Sequence, residues 1–229
     1  TLAGTDLDND TLSYVIQTLP TNGTLSDNGT VITADDLPKT TTSADVVYVS
    51  TSDTATSDSF TFKVNDGTVD SEAATVSIAI TAVNDVPVAT PQTDVAATEQ
   101  TEVTISLVGT DAESDAITYI ISTLPANGTL SDDGTVITAD DLPFTISNAS
   151  GEVTYISTSD TAASDSFTFK VNDGTEDSEA ATIGIAIATV NDVPVALAQT
   201  DVAATEQTAL TLTLAGTDLD NDTLSYVIQ

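Results

Sequence analysis

The 229-residue chain contains no Cys, Met, Trp, His or Arg, and its only bases are Lys39, Lys63 and Lys170. Each absence removes a class of chemistry. Without imidazole or thiol there is no Ser-His-Asp triad, no thiol nucleophile and no zinc centre of the usual nitrogen and sulfur kind, so the expectation is a protein that is not an enzyme. The 36 acidic residues leave a net charge of −33, which repels phosphate backbones and anionic headgroups, and three lysines make no basic stripe. Nucleic acid is excluded as a partner on these grounds. No apolar run approaches the roughly 18 residues of a membrane helix, so no membrane insertion is expected in this segment. The opening TLAGTDLDND has neither the basic nor the apolar region of a signal peptide, and the expectation is a mature piece or a segment of a longer chain. Missing disulfides fit a reducing compartment or a surface protein stabilised another way. What remains is 40% hydrophobic but only 4% aromatic, mostly Ala, Val, Ile and Leu, which is enough for ordered domains with thin cores.

Self-comparison dominates the rest. The phrase SDSFTFKVNDGT from Ser57 recurs from Ser164, and VNDVPVA from Val83 recurs from Val190, each 107 residues on. Upstream of Leu37-Pro38 and Leu142-Pro143 the spacing is 105, because the second copy carries two extra residues in FTISNASGE. One unit is therefore about 105 residues. The first 17 residues, TLAGTDLDNDTLSYVIQ, reappear unchanged from Thr213, whereas the intermediate copy reads SLVGTDAESDAITYIIS. Alternate units match better than neighbours, and the expectation is a window on a long tandem array. Its divisions are residues 1–82, a repeat lacking its first strands; residues 83–189, a complete repeat; and residues 190–229, the opening strands of a third.

Within the complete copy, apolar residues alternate: Val103, Ile105, Leu107; Ile117, Tyr119, Ile121; Val153, Tyr155; Phe167, Phe169, Val171; Ile183, Ile185, Ile187. That is strand periodicity with one buried face. Asn127-Gly128, Asp133-Gly134 and Asp173-Gly174 read as turns that supply positive φ, and no segment has amphipathic-helix spacing. About seven short strands per 105 residues predict an all-β chain of tandem antiparallel Greek-key β-sandwiches of the immunoglobulin type, arranged end to end. Pro87 and Pro194 restrict the VNDVPVA joints. Asn22-Gly23-Thr24 and Asn127-Gly128-Thr129 match the glycosylation acceptor but read first as turns, and the tyrosines and phenylalanines on alternating positions read as core.

Carboxylates sit at alternate positions of the GTDLDND loop: Asp6, Asp8 and Asp10, again as Asp218, Asp220 and Asp222, and as Asp111, Glu113 and Asp115 in the middle copy. Two readings are open. Crowded carboxylates repel, and a hard divalent cation with six to eight oxygen ligands, calcium, relieves that repulsion. Alternatively, Asp and Asn simply favour solvated turns in an acid-rich chain.

The combination of Thr98 to Thr101 (TEQT), the G-T-D-x-[DE]-x-D loop, SFTFKVNDG and A-V-N-D-V-P resembles the bacterial cadherin-like and immunoglobulin-like tandem repeats of giant surface adhesins, over the whole chain. The resemblance implies calcium at the joints between units. Carried over, the internal joint would use Asp58, Asn84, Asp85, Asp111, Glu113 and Asp173, and the next Glu99, Asp165, Asn191, Asp192, Asp218 and Asp220. Asp6, Asp8 and Asp66 would face a joint upstream. The cadherin joint runs D-x-N-D-N-x-P, whereas this one, from Ala82 to Pro87, lacks the first Asp and last Asn, which implies fewer ions per joint. The implied function is a non-enzymatic spacer, extracellular or at the cell surface, whose partners are neighbouring repeats of the same chain. The alternative is a self-assembling filament, sheath or surface-layer subunit, for which the partners are other copies of itself.

Overall fold

A computed structural model describes residues 1–228, among which the regular structure is almost entirely β-strand, apart from 3₁₀ turns at Ala34–Asp36 and Ala139–Asp141. Its contacts divide it into two compact units, one of Thr1–Asp85 with Ala112–Ser114 and one of Val86–Asp111 with Asp115–Gln229.

The first unit contains β1 (Ser13–Ile16), β2 (Gly23–Asp27), β3 (Thr30–Val31), β4 (Lys39–Thr40), β5 (Val47–Ser50), β6 (Ser57–Asn65) and β7 (Ala74–Ala79). They form two sheets in the orders β4-β1-β6-β7 and β3-β2-β5. Alternation on β6 turns Phe60 and Phe62 inward, where they meet Ile16 and Leu25 from the two sheets and Leu2 and Ile32 from the flanking loops. Each fully buried side chain of this size contributes about 1.5–3 kcal/mol, so this small core is modest.

The second unit repeats the plan and extends it. Its strands are β8 (Val88–Thr90), β9 (Gln92–Thr98), β10 (Val103–Ser106), β11 (Val108–Thr110), β12 (Thr118–Thr123), β13 (Gly128–Asp132), β14 (Thr135–Val136), β15 (Phe144–Thr145), β16 (Glu152–Ser157), β17 (Ser164–Asn172) and β18 (Ala181–Ala188). One sheet runs β10-β16-β13-β14 and the facing one β15-β12-β17-β18-β9, with β9 added parallel to β18. The chain crosses repeatedly between the two sheets, from β9 to β10, β12 to β13, β14 to β15, β15 to β16 and β16 to β17, while β13-β14 and β17-β18 are hairpins within one sheet, as in an immunoglobulin-like sandwich. Tyr155, Leu130, Ile105 and Val153 from one sheet interlock with Phe167, Phe169, Val171, Ile121 and Ile183 from the other, all at or below 2% exposure. Beyond β18 the described residues carry one short pair, β19 (Val195–Ala196) with β20 (Gly216–Thr217).

Turn chemistry matches the sequence in two of three places. Asp133-Gly134 and Gly174 adopt positive φ, but Gly128 does not. It opens β13 beside the Tyr155 ring, where an added Cβ would sit 2.6 Å from the Ile156 carbonyl oxygen. Close approach, not a left-handed backbone, is what demands glycine there. The Asn127 amide donates to the Ser164 carbonyl and its backbone N–H to Asp165, so Asn127 fastens that loop to β17.

Candidate metal centre

The three D-x-[DE]-x-D loops fold alike. In each, the backbone N–H of the last acid donates to the first carboxylate: Asp10 to Asp6 at 3.0 Å, Asp115 to Asp111 at 2.8 Å, Asp222 to Asp218 at 3.1 Å. The residue before that last acid takes positive φ in every copy, as Asn9, Ser114 and Asn221. This tight curl keeps the three acids in one turn instead of letting them spread along a strand. Asp6 also accepts from the Asp8 N–H, and neither joins a group of three acids among the described residues.

The second unit gathers the densest set. Glu99 lies where β9 ends, Asp160 in the polar loop after β16, and Asp192 in the joint after β18; ligand atoms of these three lie within 4.8 Å of one another. Asp218, Asp220 and Asp222 form a second such triplet. The Asp192 N–H donates to Asp220 Oδ2 at 2.6 Å and ties the two triplets together, while the Asn191 amide folds back onto the Asp192 carbonyl. An open cleft lined by Asp160, Thr161, Thr189, Asn191, Asp220 and Asp222 adjoins them. In the first unit, Asp53, Asp85 and Glu113 form a triplet of the same kind, with the Asp85 N–H donating to Glu113 Oε2 at 3.0 Å.

Satisfaction of the oxygens separates these acids from other acids of the same repeats. Asp58 accepts from the backbone N–H groups of Thr21, Asn22 and Ser59 and from the Tyr48 hydroxyl. Burial pushes Asp58 up, but those donors outweigh it and hold the carboxyl below the usual carboxylate range. Asp165 has the equivalent partners in Ala126, Asn127, Ser166 and Tyr155, and burial together with Asp165 pushes the Tyr155 hydroxyl up to about 12. Asp66 closes its turn through the N–H groups of Thr68 and Val69, and Asp173 through those of Thr175 and Glu176. In contrast, Glu99 Oε2, Asp111 Oδ2, Glu113 Oε1 and Asp192 Oδ2 are buried without any hydrogen-bond partner. Glu99 is only 3% exposed. Burial, followed by the charges of Asp220, Asp160 and Asp218, holds the Asp192 carboxyl above its usual range. Lys63 and Lys170 pair at 3.9 Å with Asp70 and Asp177 instead.

Of the residues singled out from sequence, the structure therefore brings together Glu99, Asp192, Asp218 and Asp220, and separately Asp85 and Glu113. It places Asp58, Asp165, Asp66 and Asp173 in internal hydrogen-bond networks, and the Asn84 amide against the Asp85 carbonyl. Asp53 and Asp160, which occupy equivalent places in the triplets, were not among the candidates. Their signal was the Ser-Thr-Ser-Asp phrase repeated from Ser50 and Ser157.

Comparison with known proteins agrees with this reading of the fold. Residues 1–80 match the family described as Cadherin-like, and residues 84–186 match the Bacterial Ig domain. Two successive stretches of the chain are thus similar to a cadherin-like and an immunoglobulin-like repeat. Integrin beta-like protein A of Dictyostelium discoideum is 31% identical over 184 residues, which is 76% of this chain but 10% of that protein's length. Among solved structures, the protocadherin GammaB4 extracellular domain shares 16% identity at a TM-score of 0.49, over 92% of this chain and 35% of that one. Human mucin-like protocadherin EC1-2 shares 14% identity at 0.44, over 78% and 85% of the respective chains. Among the described residues of these repeats, no helix is long and apolar enough to cross a membrane.

Proposed function

We propose that these cadherin-like and immunoglobulin-like repeats form a stretch of an extracellular, non-enzymatic spacer stiffened by calcium at its acidic joints. The observation that carries this reading is the pair of buried, unpartnered oxygens, Glu99 Oε2 and Asp192 Oδ2, in a triplet with Asp160. A buried carboxylate with a bare oxygen costs several kcal/mol, and like charges at this spacing add to that cost. An all-oxygen donor set of carboxylates fits a hard cation, and the absence of His and Cys from the chain disfavours softer metals. Glu99, Asp160, Asp192 and Asp220 would hold the ion in the second unit, and Asp53, Asp85 and Glu113 in the first. Bound there, calcium supplies positive charge that cancels the repulsion and clamps the joint after β18 to the loop after β16.

Calorimetric titration of the 229-residue chain with calcium tests this. Binding in the range of extracellular calcium modules, about 10⁻⁴ to 10⁻³ M, is expected. Asp160→Asn should weaken the second-unit site at least about tenfold with both sandwiches still folded. No heat in the unsubstituted chain, or an unchanged titration in Asp160→Asn and Asp85→Ala alike, would overturn the reading.

A further inference from the structure

The turn that carries Glu99 also carries a residue in a backbone conformation that does not suit it. Residues 98–101 are stitched to the last residues of β18 and β16: the Glu99 N–H donates to the Ala188 carbonyl at 3.0 Å and the Gln100 N–H to the Ser157 carbonyl at 3.2 Å. The Thr101 N–H then closes the turn on the Thr98 carbonyl at 3.2 Å. Closure puts Gln100 at φ 54°, in the left-handed region where glycine and, after it, asparagine are favoured. The same phrase at residues 205–208 closes in the same way, with Gln207 at φ 59°. The conformation therefore belongs to the turn, and both copies keep glutamine in it. Such a backbone cost persists where the side chain is needed.

The Gln100 side chain leaves the turn and reaches a residue 60 positions on, its Nε2 donating to Asp160 Oδ1 at 3.0 Å. Among the described residues this is the one hydrogen bond to the Asp160 carboxylate. The loop that bears Asp160 is shaped from within by the hydroxyls of Ser157 and Ser159, which accept from the N–H groups of Ser159, Thr161 and Ala162. Those bonds fix the backbone and leave the Asp160 side chain to Gln100. Opposite stands Asp192, another acid of the same triplet, and the like charges of the triplet push Asp160 outward. A neutral amide donor opposes that push without adding charge.

We propose that Gln100 is a positioning residue for the second-unit cation site, its amide holding Asp160 beside Glu99 and Asp192 before the ion arrives. The proposal rests on the calcium reading above, which has its own support in Glu99, 3% exposed with Oε2 unpartnered. Two adjacent residues of one turn then divide the task. Glu99 turns inward as a ligand, and Gln100 holds a second ligand from the loop after β16. A ligand held in place beforehand leaves less ordering for the ion to bring about, which tightens binding without a further contact to the metal. The length of glutamine matters here. Asparagine is easier at this φ but one methylene shorter, and glutamate would set a like charge against Asp160.

Gln100→Gly tests this because the backbone and the side chain predict opposite signs. Glycine relieves the positive φ, so the melting temperature in chelator should hold or rise. Loss of the amide should weaken calcium binding about fivefold by calorimetry, with Asp85→Ala present to silence the first-unit site. Gln100→Asn, which keeps an amide but shortens its reach, should weaken it similarly. In an Asp160→Ala background, Gln100→Gly should change the affinity less than about twofold, since both residues act through one bond. A readout without calcium is the Gln100 side-chain amide resonance in chelator, which should shift in Asp160→Ala. No calcium heat in the unsubstituted chain would overturn this proposal together with the calcium reading. Calcium binding that Asp160→Ala weakens but Gln100→Gly and Gln100→Asn leave unchanged would overturn this proposal alone. So would equal losses from Gln100→Gly with and without Asp160, an amide resonance indifferent to Asp160→Ala, or a melting temperature that falls in step with affinity.

Discussion

Buried acids in this chain divide by what their oxygens touch, and that division decides their roles more firmly than burial or charge does. Asp58 is held low by the N–H groups of Thr21, Asn22 and Ser59 and by the Tyr48 hydroxyl, against the upward push of burial. A carboxyl depressed in the folded state stabilises above its ordinary pKa of 3.8, and that contribution is lost as pH falls through the folded value. Asp58→Asn is therefore expected to lower the melting temperature at neutral pH and to shrink the acid-induced loss below 3.8. Melting curves from pH 2 to pH 7 for both proteins check this, and parallel curves would mean that Asp58 contributes no proton linkage. Asp160 presents the opposite case. It stands five residues before Asp165 in a polar loop, and nothing in its spacing distinguishes it from Asp165. The resemblance to cadherins points to the acid of SDSF, but a strand carries that side chain inward to Tyr155, while the loop before it swings Asp160 to Asp192. Only the path of the backbone separates the two.

At the scale of strands and turns, much of the fold was legible. Alternation at Phe167, Phe169 and Val171 marks β17 because a pleated strand sends every second side chain to the same face, and the structure buries all three. The β9 strand was harder to see. Its apolar positions, Val95 and Ala97, are few and small, and its parallel pairing with β18 depends on a neighbour about 90 residues away. Gly128 shows the limit of turn motifs. Asn-Gly signals a hairpin by positive φ, but here glycine is required by the Tyr155 ring and the Ile156 carbonyl. Gly128→Ala should accordingly cost about 1–3 kcal/mol, the range for forcing extra atoms into a packed site. Gly134, at φ 79° with open space around it, should cost about 1–2 kcal/mol as Ala, from backbone conformation alone. The two are separable by adding Tyr155→Phe, which leaves the ring in place, and Tyr155→Leu, which removes it. Only the second should relieve Gly128→Ala, and relief by neither would point to the Ile156 carbonyl as the obstacle.

Across the whole molecule, a net charge of −33 opposes every close approach of acidic loops, and the joints concentrate that opposition. Six carboxylates, Glu99, Asp160, Asp192, Asp218, Asp220 and Asp222, gather around the joint after β18 in two linked triplets. Salt at physiological strength screens charges only beyond about 8 Å, farther apart than the members of either triplet, so ordinary ionic strength cannot replace a bound cation there. Calcium at about 100 times its dissociation constant would contribute about 2.7 kcal/mol per site to whichever arrangement gathers the ligands. That is a population shift of about a hundredfold toward one joint geometry. Extracellular modules need calcium at about 10⁻⁴ to 10⁻³ M, and with the sites occupied as proposed the chain would be stiff at millimolar calcium and loose far below that range. Small-angle scattering of the 229-residue chain in millimolar calcium and in chelator measures this. Calcium should reduce flexibility, and Asp160→Asn with Asp85→Ala should make the calcium and chelator curves coincide. Raising sodium chloride in chelator should recover only part of the calcium effect, because screening acts on the distant charges and leaves the triplets unneutralised. If sodium chloride alone reproduced the full change, the long-range charge of the chain, and not a cation held by Glu99, Asp160 and Asp192, would be what sets its stiffness.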